Sequence, residues 1–137
     1  MNTRFHTIVG FTILLLGLAH QGVLMAQDMT VTGASPSDGE PGQELDIEII
    51  GTGFDDSIDK VSFKLPCNKK SCPDSDEIAV ESFTRQSPTS IKAVIKISSV
   101  AQANTFDIAL RSRGRGGKGT TYKGEGLFEV KLRPNQD

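Results

Sequence analysis

Hydrophobic and polar residues alternate along much of the chain with a period of two. The pattern is clearest in residues 45–49, 61–65, 91–97, 106–111 and 128–132. Residues 29–34 and 77–83 are two further candidate segments. Successive side chains of a β-strand point to opposite faces of the sheet, so the alternation predicts strands with one buried face and one face in water.

Turn-forming residues separate these segments. Ser35-Pro-Ser-Asp-Gly-Glu-Pro-Gly42 lies between the first two, and Gly51-Thr-Gly53 ends the second. Proline presets φ and glycine tolerates positive φ, which suits tight turns. Phe54 follows the second turn and is expected in the core with Leu45, Ile47 and Ile49. Seven short strands in roughly 100 residues, without a helical period, predict an all-β fold, a seven-stranded immunoglobulin-like β-sandwich.

The first 26 residues differ from the rest of the chain. A weakly basic start precedes an apolar run over residues 8–18, and small residues follow up to Ala26. The run has about eleven residues, whereas a membrane span needs about twenty. This layout is typical of a secretory signal peptide. We predict a signal peptide over residues 1–26 and one domain over residues 27–137; cleavage after Ala19 and a retained N-terminal anchor are the alternatives. No later segment is apolar enough to span a membrane.

The charges are distributed unevenly over the predicted domain. Residues 27–65 hold nine acids and two bases, residues 66–110 hold five of each, and residues 111–137 hold three acids and seven bases. The sums are 17 acids and 14 bases, a net charge of −3. This mild net charge does not favour nucleic acid or a membrane surface as the main partner.

The chain has two cysteines, Cys67 and Cys72. An exported chain passes through an oxidising compartment, so a disulfide between them is expected. Five residues of extended strand span about 17 Å, whereas the Cα atoms of a disulfide lie roughly 4.4–6.8 Å apart. The segment must therefore fold back on itself. Two cysteines without neighbouring histidines do not favour a metal site.

The first two predicted strands and their turns resemble the start of an IPT/TIG domain. The resemblance rests on Val31-Thr-Gly-Ala-Ser-Pro36, the Gly39-x-x-Gly42 turn, the strand over residues 45–49 and Gly51-Thr-Gly-Phe54. Residues 61–63, 90–94 and 105–110 lie where that family has its third, fifth and sixth strands. The resemblance covers residues 29–132, with a longer insert at residues 67–76 and a longer final hairpin. It implies an immunoglobulin-like sandwich without a catalytic site, whose shared role is binding, spacing or dimerisation.

A basic, glycine-rich segment near the C-terminus is the candidate ligand site. Five positive side chains lie on or beside the predicted connection at residues 114–126: Arg111, Arg113, Arg115, Lys118 and Lys123. Such a loop can hold a sulfated or uronic polysaccharide, an envelope phosphate or an acidic protein surface. A mobile connection is the alternative. Gly114-x-Gly116-x-x-Gly119 matches a dinucleotide-binding fingerprint, but that motif opens a helix, and here a strand follows.

The domain offers little for catalysis. Both histidines, His6 and His20, precede the preferred cleavage site, so no histidine base remains in the mature chain. No serine has the setting of a nucleophile elbow, and a disulfide would remove both thiols. We therefore predict no enzyme activity, no catalytic residue, no cofactor and no metal. Calcium at the acidic loops, residues 55–59 and 74–77, is the alternative.

These features predict a non-catalytic binding or interaction module that is exported to the periplasm, the cell surface or the medium. Its expected partner is a protein or an anionic glycan, and not nucleic acid. A carbohydrate-binding or enzyme-accessory module is the alternative. The lack of Trp and the single Tyr122 disfavour neutral-sugar binding by ring stacking. Exposed sheet edges can pair with those of a second copy of the chain, which would form a homodimer.

Overall fold

The computed structural model describes residues 28–114 and 116–134. The predicted signal peptide and both candidate cleavage sites lie outside this range. Eight β-strands follow one another, and the described residues contain no α-helix. The strands are β1 (Thr30–Ser35), β2 (Asp38–Gly39), β3 (Glu44–Thr52), β4 (Ile58–Lys64), β5 (Ile78–Ser87), β6 (Ser90–Ile97), β7 (Asn104–Arg113) and β8 (Gly119–Val130).

The strands form two four-stranded sheets, which confirms the predicted all-β sandwich. Sheet A has the order β1-β3-β6-β5, and sheet B has the order β2-β8-β7-β4. All pairings are antiparallel except that of β2 with β8. The count is eight strands and not seven, because Asp38 and Gly39, within the predicted first turn, pair with Glu129 and Val130.

The core lies between the two sheets and is built from the alternating apolar residues. Sheet A contributes a row of isoleucines, and sheet B contributes the larger aromatic side chains. Phe63 and Phe128 meet edge to face with their ring centroids 5.4 Å apart, a favoured aromatic geometry. Phe54 is buried as predicted, together with Ile47 and Ile49, while Leu45 is only partly buried.

The last strand is longer than the sequence pattern predicted. The pattern predicts a connection over residues 114–126 and a strand from residue 128, whereas β8 begins at Gly119. Thr120, Thr121 and Tyr122 are good strand formers, and this part of β8 pairs with β7 up to the contact of Arg113 with Gly119. Because glycines are unfavourable in strands, the local sequence predicts a loop here, and only the pairing with β7 shows that the segment is a strand.

The segment between β4 and β5 folds back beside sheet B. Asp74 pairs with Lys64 as an isolated antiparallel bridge, and the Ser75 N–H donates to the Phe63 carbonyl at 2.8 Å. Cys67 and Cys72 form the predicted disulfide, with their Cα atoms 6.0 Å apart. The described residues also include no helix long and apolar enough to cross a membrane.

Candidate functional site

The outer face of sheet B carries basic side chains from three neighbouring strands, β4, β7 and β8. On β4 and β7, Val61, Phe63, Ile108 and Leu110 are buried in the core. Because strand side chains alternate, the neighbours of these residues along each strand, Lys60, Lys64 and Arg111 among them, point outward. The register places Lys60 opposite Arg111 on β4 and β7, and Ala109 opposite Lys123 on β7 and β8.

Two of the predicted site residues, Arg111 and Arg113, are paired with a carboxylate. Arg111 donates from Nε and Nη2 to the two oxygens of Asp59, at 2.8 and 2.9 Å. Arg113 donates from Nε to Asp59 Oδ2 at 3.1 Å. The side chain of Asp59 is only 12% exposed, whereas those of Arg111 and Arg113 are 50% and 78% exposed. One acid from β4 therefore partly neutralises two arginines of the hairpin.

Asp59 remains ionised over an unusually wide pH range. The hydrogen bond from Arg111 lowers the pKa of Asp59, the bond from Arg113 adds to this effect, and burial opposes it; the resulting pKa is about 2, against a usual 3.8. A cleft of about 400 Å³ lies at this site, and Asp59 is part of its wall beside Arg111, Arg113 and three glycines. An anion that enters this cleft meets a carboxylate as well as two guanidinium groups.

The turn of this hairpin is shorter than expected. Gly114 donates its N–H to the carbonyl of Lys118 at 3.0 Å, and Gly117 donates to the carbonyl of Gly114 at 3.3 Å. Lys118 is exposed in the turn, and Arg115 lies outside the described residues. We call Arg111, Arg113 and Lys118 the hairpin cluster.

Lys123, the fifth predicted site residue, does not belong to the hairpin cluster. It lies four residues along β8 from Gly119, or about 13 Å at the usual strand rise. Its Nζ is 3.4 Å from Asp107 Oδ2 and 3.7 Å from Glu125 Oε1. Asp107 is almost fully buried, and its Oδ1 accepts a hydrogen bond from the Gly126 N–H at 2.8 Å. These contacts hold Lys123 beside the loop from Cys67 to Cys72, which we call the disulfide loop.

A cleft of about 260 Å³ lies between the disulfide loop and β8. Its wall includes Cys72 and six polar residues: Lys64, Lys69, Lys70, Ser71, Thr121 and Lys123. Among residues 28–114 and 116–134, no carboxylate lines this cleft. Four ammonium groups and two hydroxyl groups around one concave space favour an anionic ligand. We call this site the lysine cleft.

Lys64 is held in the wall of the lysine cleft by one contact within the wall and one outside it. Its Nζ donates to the Cys72 carbonyl at 2.6 Å and lies 2.8 Å from Asp74 Oδ1. Asp74 also forms an ion pair with Lys60. Burial raises the pKa of Asp74, but the hydrogen bonds from Lys60 and Lys64 outweigh this effect, and the pKa is about 2. Asp74 thus fixes Lys64 without lining the lysine cleft.

Lys69 and Lys70 lie inside the ring that the disulfide closes. Both side chains are exposed, and among residues 28–114 and 116–134 neither lysine forms a salt bridge. A disulfide between residues so close in sequence restricts the conformations of the four residues between them. The Cys67–Cys72 bond therefore holds these two ammonium groups over the outer face of sheet B.

The site predicted from the sequence does not include Lys64, Lys69 and Lys70, which line the lysine cleft. A signal was present, because residues 60–73 contain four lysines and no acid. That signal locates an acid-free basic segment, but it does not show that Lys123, more than 50 residues later, completes the wall of the same cleft.

A larger cleft, of about 560 Å³, lies on the opposite side of the molecule. It covers the outer face of sheet A and includes Asp46, Glu48 and Lys92. Glu48 and Lys92 are directly opposed in the β3–β6 register, as are Glu44 and Lys96. Charges of both signs alternate on this face, so it has no clear preference for an anion or a cation.

Three aspartates of the two segments considered for calcium, residues 55–59 and 74–77, contact basic side chains. Asp56 accepts hydrogen bonds from Arg85, while Asp59 and Asp74 bind the basic side chains described above. Within the described part of the chain, no three His, Cys, Asp or Glu side chains are grouped closely enough to hold a metal ion.

Comparisons with known proteins give no assignment. No family model matches the chain, and no curated protein matches it. Among solved structures, one similar chain comes from work on T cell specificity and activation by the bacterial superantigen toxic shock syndrome toxin-1. The match has 14% identity and a TM-score of 0.45, and it covers 77% of this chain and 99% of the other. A similarity this weak does not bear on the function of this chain.

Proposed function

We propose that this chain is an exported, non-catalytic binding module that holds an anionic partner in the lysine cleft. The observation that carries the proposal is the composition of that cleft, whose wall includes Lys64, Lys69, Lys70 and Lys123 and, within the described part of the chain, no carboxylate. An anion there exchanges its hydration shell for several charge-assisted hydrogen bonds.

Export is supported by two features. The first 26 residues have the pattern of a signal peptide, and the Cys67–Cys72 disulfide suits an oxidising compartment. The non-catalytic part of the proposal is supported by the sequence, because His6 and His20, the chain's two histidines, lie within the predicted signal peptide. The resemblance to IPT/TIG domains is part of the same proposal, since binding is a shared role of that family.

The first test measures binding of the oxidised protein to heparin, a sulfated polysaccharide, by calorimetric titration at several salt concentrations. Lys69→Ala combined with Lys70→Ala removes two positive charges from the lysine cleft. We expect the affinity to fall roughly tenfold at low salt, at about 0.5–1 kcal/mol per lost contact. The loss should shrink as salt increases, because salt screens exposed charges.

The matched control is Lys92→Ala combined with Lys96→Ala, which removes the same charge from the exposed positions of β6. We expect this variant to lose less than about twofold in affinity. Equal losses in the two double variants would mean that heparin senses net charge only, and the proposal would be wrong. Circular dichroism and thermal unfolding of both variants verify that each remains folded.

A further inference from the structure

A second cleft adjoins the lysine cleft along β8. It has a volume of about 310 Å³, and its wall includes Cys67, Asn68, Asp107, Lys123, Glu125 and Gly126. Lys123 lines both clefts. The disulfide loop contributes Asn68 to one and Lys69 to the other. A ligand longer than one anionic group can therefore contact both. We call the second site the acceptor cleft.

The acceptor cleft has a different chemistry from the lysine cleft. The Asp107 carboxylate is 2% exposed and already contacts the Gly126 N–H and Lys123, so its role is to position Lys123. Glu125 is 81% exposed and touches Lys123 only at 3.7 Å, which leaves carboxylate lone pairs for a ligand. Asn68 is also exposed and offers an amide oxygen and two amide hydrogens. These two side chains suit hydroxyl groups.

The shared residue sets the order of groups on the ligand. Lys123 contacts the carboxylates of Asp107 and Glu125 and also lines the lysine cleft with the other lysines. A fitting ligand carries an anionic group and, next to it, hydroxyl groups that donate hydrogen bonds. Uronic and sulfated sugars have this combination. Polyphosphate has the charge but lacks hydroxyl donors, and polyglutamate has no hydroxyl groups.

Building on the proposed function, we infer that the two clefts together bind an acidic saccharide. Its carboxylate or sulfate contacts the lysine cleft, and hydroxyl groups of the same or the next sugar ring donate to Glu125 and Asn68. Recognition is polar, because the chain has no Trp and Tyr122 is partly buried against the core. The site therefore needs an acidic sugar and does not take a neutral one by ring stacking.

Glu125→Ala tests this inference by the sign of its effect. Electrostatics alone predict that removing an exposed carboxylate beside a cationic site strengthens the binding of every polyanion. If Glu125 accepts hydroxyl hydrogen bonds, an oligouronate loses affinity, by about threefold to tenfold, while polyphosphate of the same charge gains up to about twofold. Asn68→Ala should weaken oligouronate binding by a similar factor and leave polyphosphate unchanged.

The control is Glu129→Ala, which removes an exposed acid from β8 outside both clefts. It should affect the two ligands equally. The inference is overturned if Glu125→Ala shifts oligouronate and polyphosphate in the same direction, or if polyglutamate binds as tightly as the oligouronate. If instead the proposed function is wrong, the result is different. Lys69→Ala with Lys70→Ala then weakens the binding of either polyanion no more than Lys92→Ala with Lys96→Ala does.

Discussion

The hairpin cluster and the lysine cleft lie on the same outer face of sheet B, but a carboxylate is part of only one of them. In the hairpin cluster, Asp59 binds both Arg111 and Arg113. In the lysine cleft, the nearest acids, Asp74 and Asp107, hold Lys64 and Lys123 from outside the wall. Both regions are basic in sequence, and of the two only the lysine cleft has no acid from the described residues in its wall.

The difference shows that the charge available to a ligand depends on where distant acids fall in the fold. Asp59 is 52 residues before Arg111 in the chain, and the pairing of β4 with β7 brings them together. The backbone is also held differently in the two regions. A glycine turn ends the hairpin, whereas a disulfide bond closes the loop that carries Lys69 and Lys70. Each difference can be tested separately.

The largest effect is expected from removing the disulfide. Cys67→Ser combined with Cys72→Ser should lower the free energy of unfolding by about 2 kcal/mol, because the short loop regains its freedom in the unfolded chain. Urea denaturation measures this loss. The same variant should lose up to about tenfold in affinity for heparin, since Lys69 and Lys70 are then no longer held over sheet B.

A double-mutant cycle identifies the cause of that loss of affinity. In a protein that already carries Lys69→Ala and Lys70→Ala, removing the disulfide should change heparin affinity little, because the two effects act through the same side chains. If the losses simply add, or if the folded serine variant keeps full affinity, the disulfide does not organise the lysine cleft.

A smaller effect is expected from the glycine turn of the hairpin. Gly117 has a φ of +80°, a conformation that costs a residue with a Cβ about 1 kcal/mol. Gly117→Ala should therefore lower the free energy of unfolding by about that amount and leave heparin affinity unchanged. Gly33→Ala is the control, since no atom of the described residues lies within 4 Å of the added Cβ and the φ of Gly33 is not positive. A marked fall in heparin affinity with Gly117→Ala would link the two regions.

The fold could be predicted from the sequence because its signal is local. Alternation within five to seven residues places most strands, and the Gly51-Thr-Gly53 turn places Phe54 in the core. The first half of β8 was missed because its pairing with β7 supports a segment with several glycines. That support comes from a neighbouring strand and leaves little trace in the local pattern.

The sequence also groups basic side chains that the structure separates, for the same reason. Sequence spacing brought Lys123 together with Arg111 and Arg113, whereas the register separates it from Gly119 by four residues of strand. Its actual neighbours, Lys64 and Lys69, come from β4 and the disulfide loop. Side chains that meet across strands have no fixed spacing in sequence, so composition alone could not group them.

Asp59→Asn should make the hairpin cluster resemble the lysine cleft. The substitution removes the charge that neutralises Arg111 and Arg113 and keeps the side chain's shape. We expect heparin affinity to rise about twofold to threefold at low salt. Arg113→Ala should then reduce affinity in the Asp59→Asn protein and have almost no effect in the unmodified one. If Arg113→Ala weakens binding equally in both proteins, Asp59 does not mask the hairpin cluster.

The smallest effect is an acid sensitivity that the two regions share. The pKa values of Asp59 and Asp74 are about 2 in the folded protein, against 3.8 without these contacts. Each pKa is lower in the folded protein than in the unfolded chain. The ionised Asp59 and Asp74 therefore stabilise the fold fully well above pH 4, and this stabilisation is lost as the pH falls toward 2. Thermal unfolding between pH 5 and pH 2 should show a falling midpoint. Asp59→Asn and Asp74→Asn should each flatten part of that fall, and an unchanged pH profile in both would mean that neither ion pair stabilises the folded state.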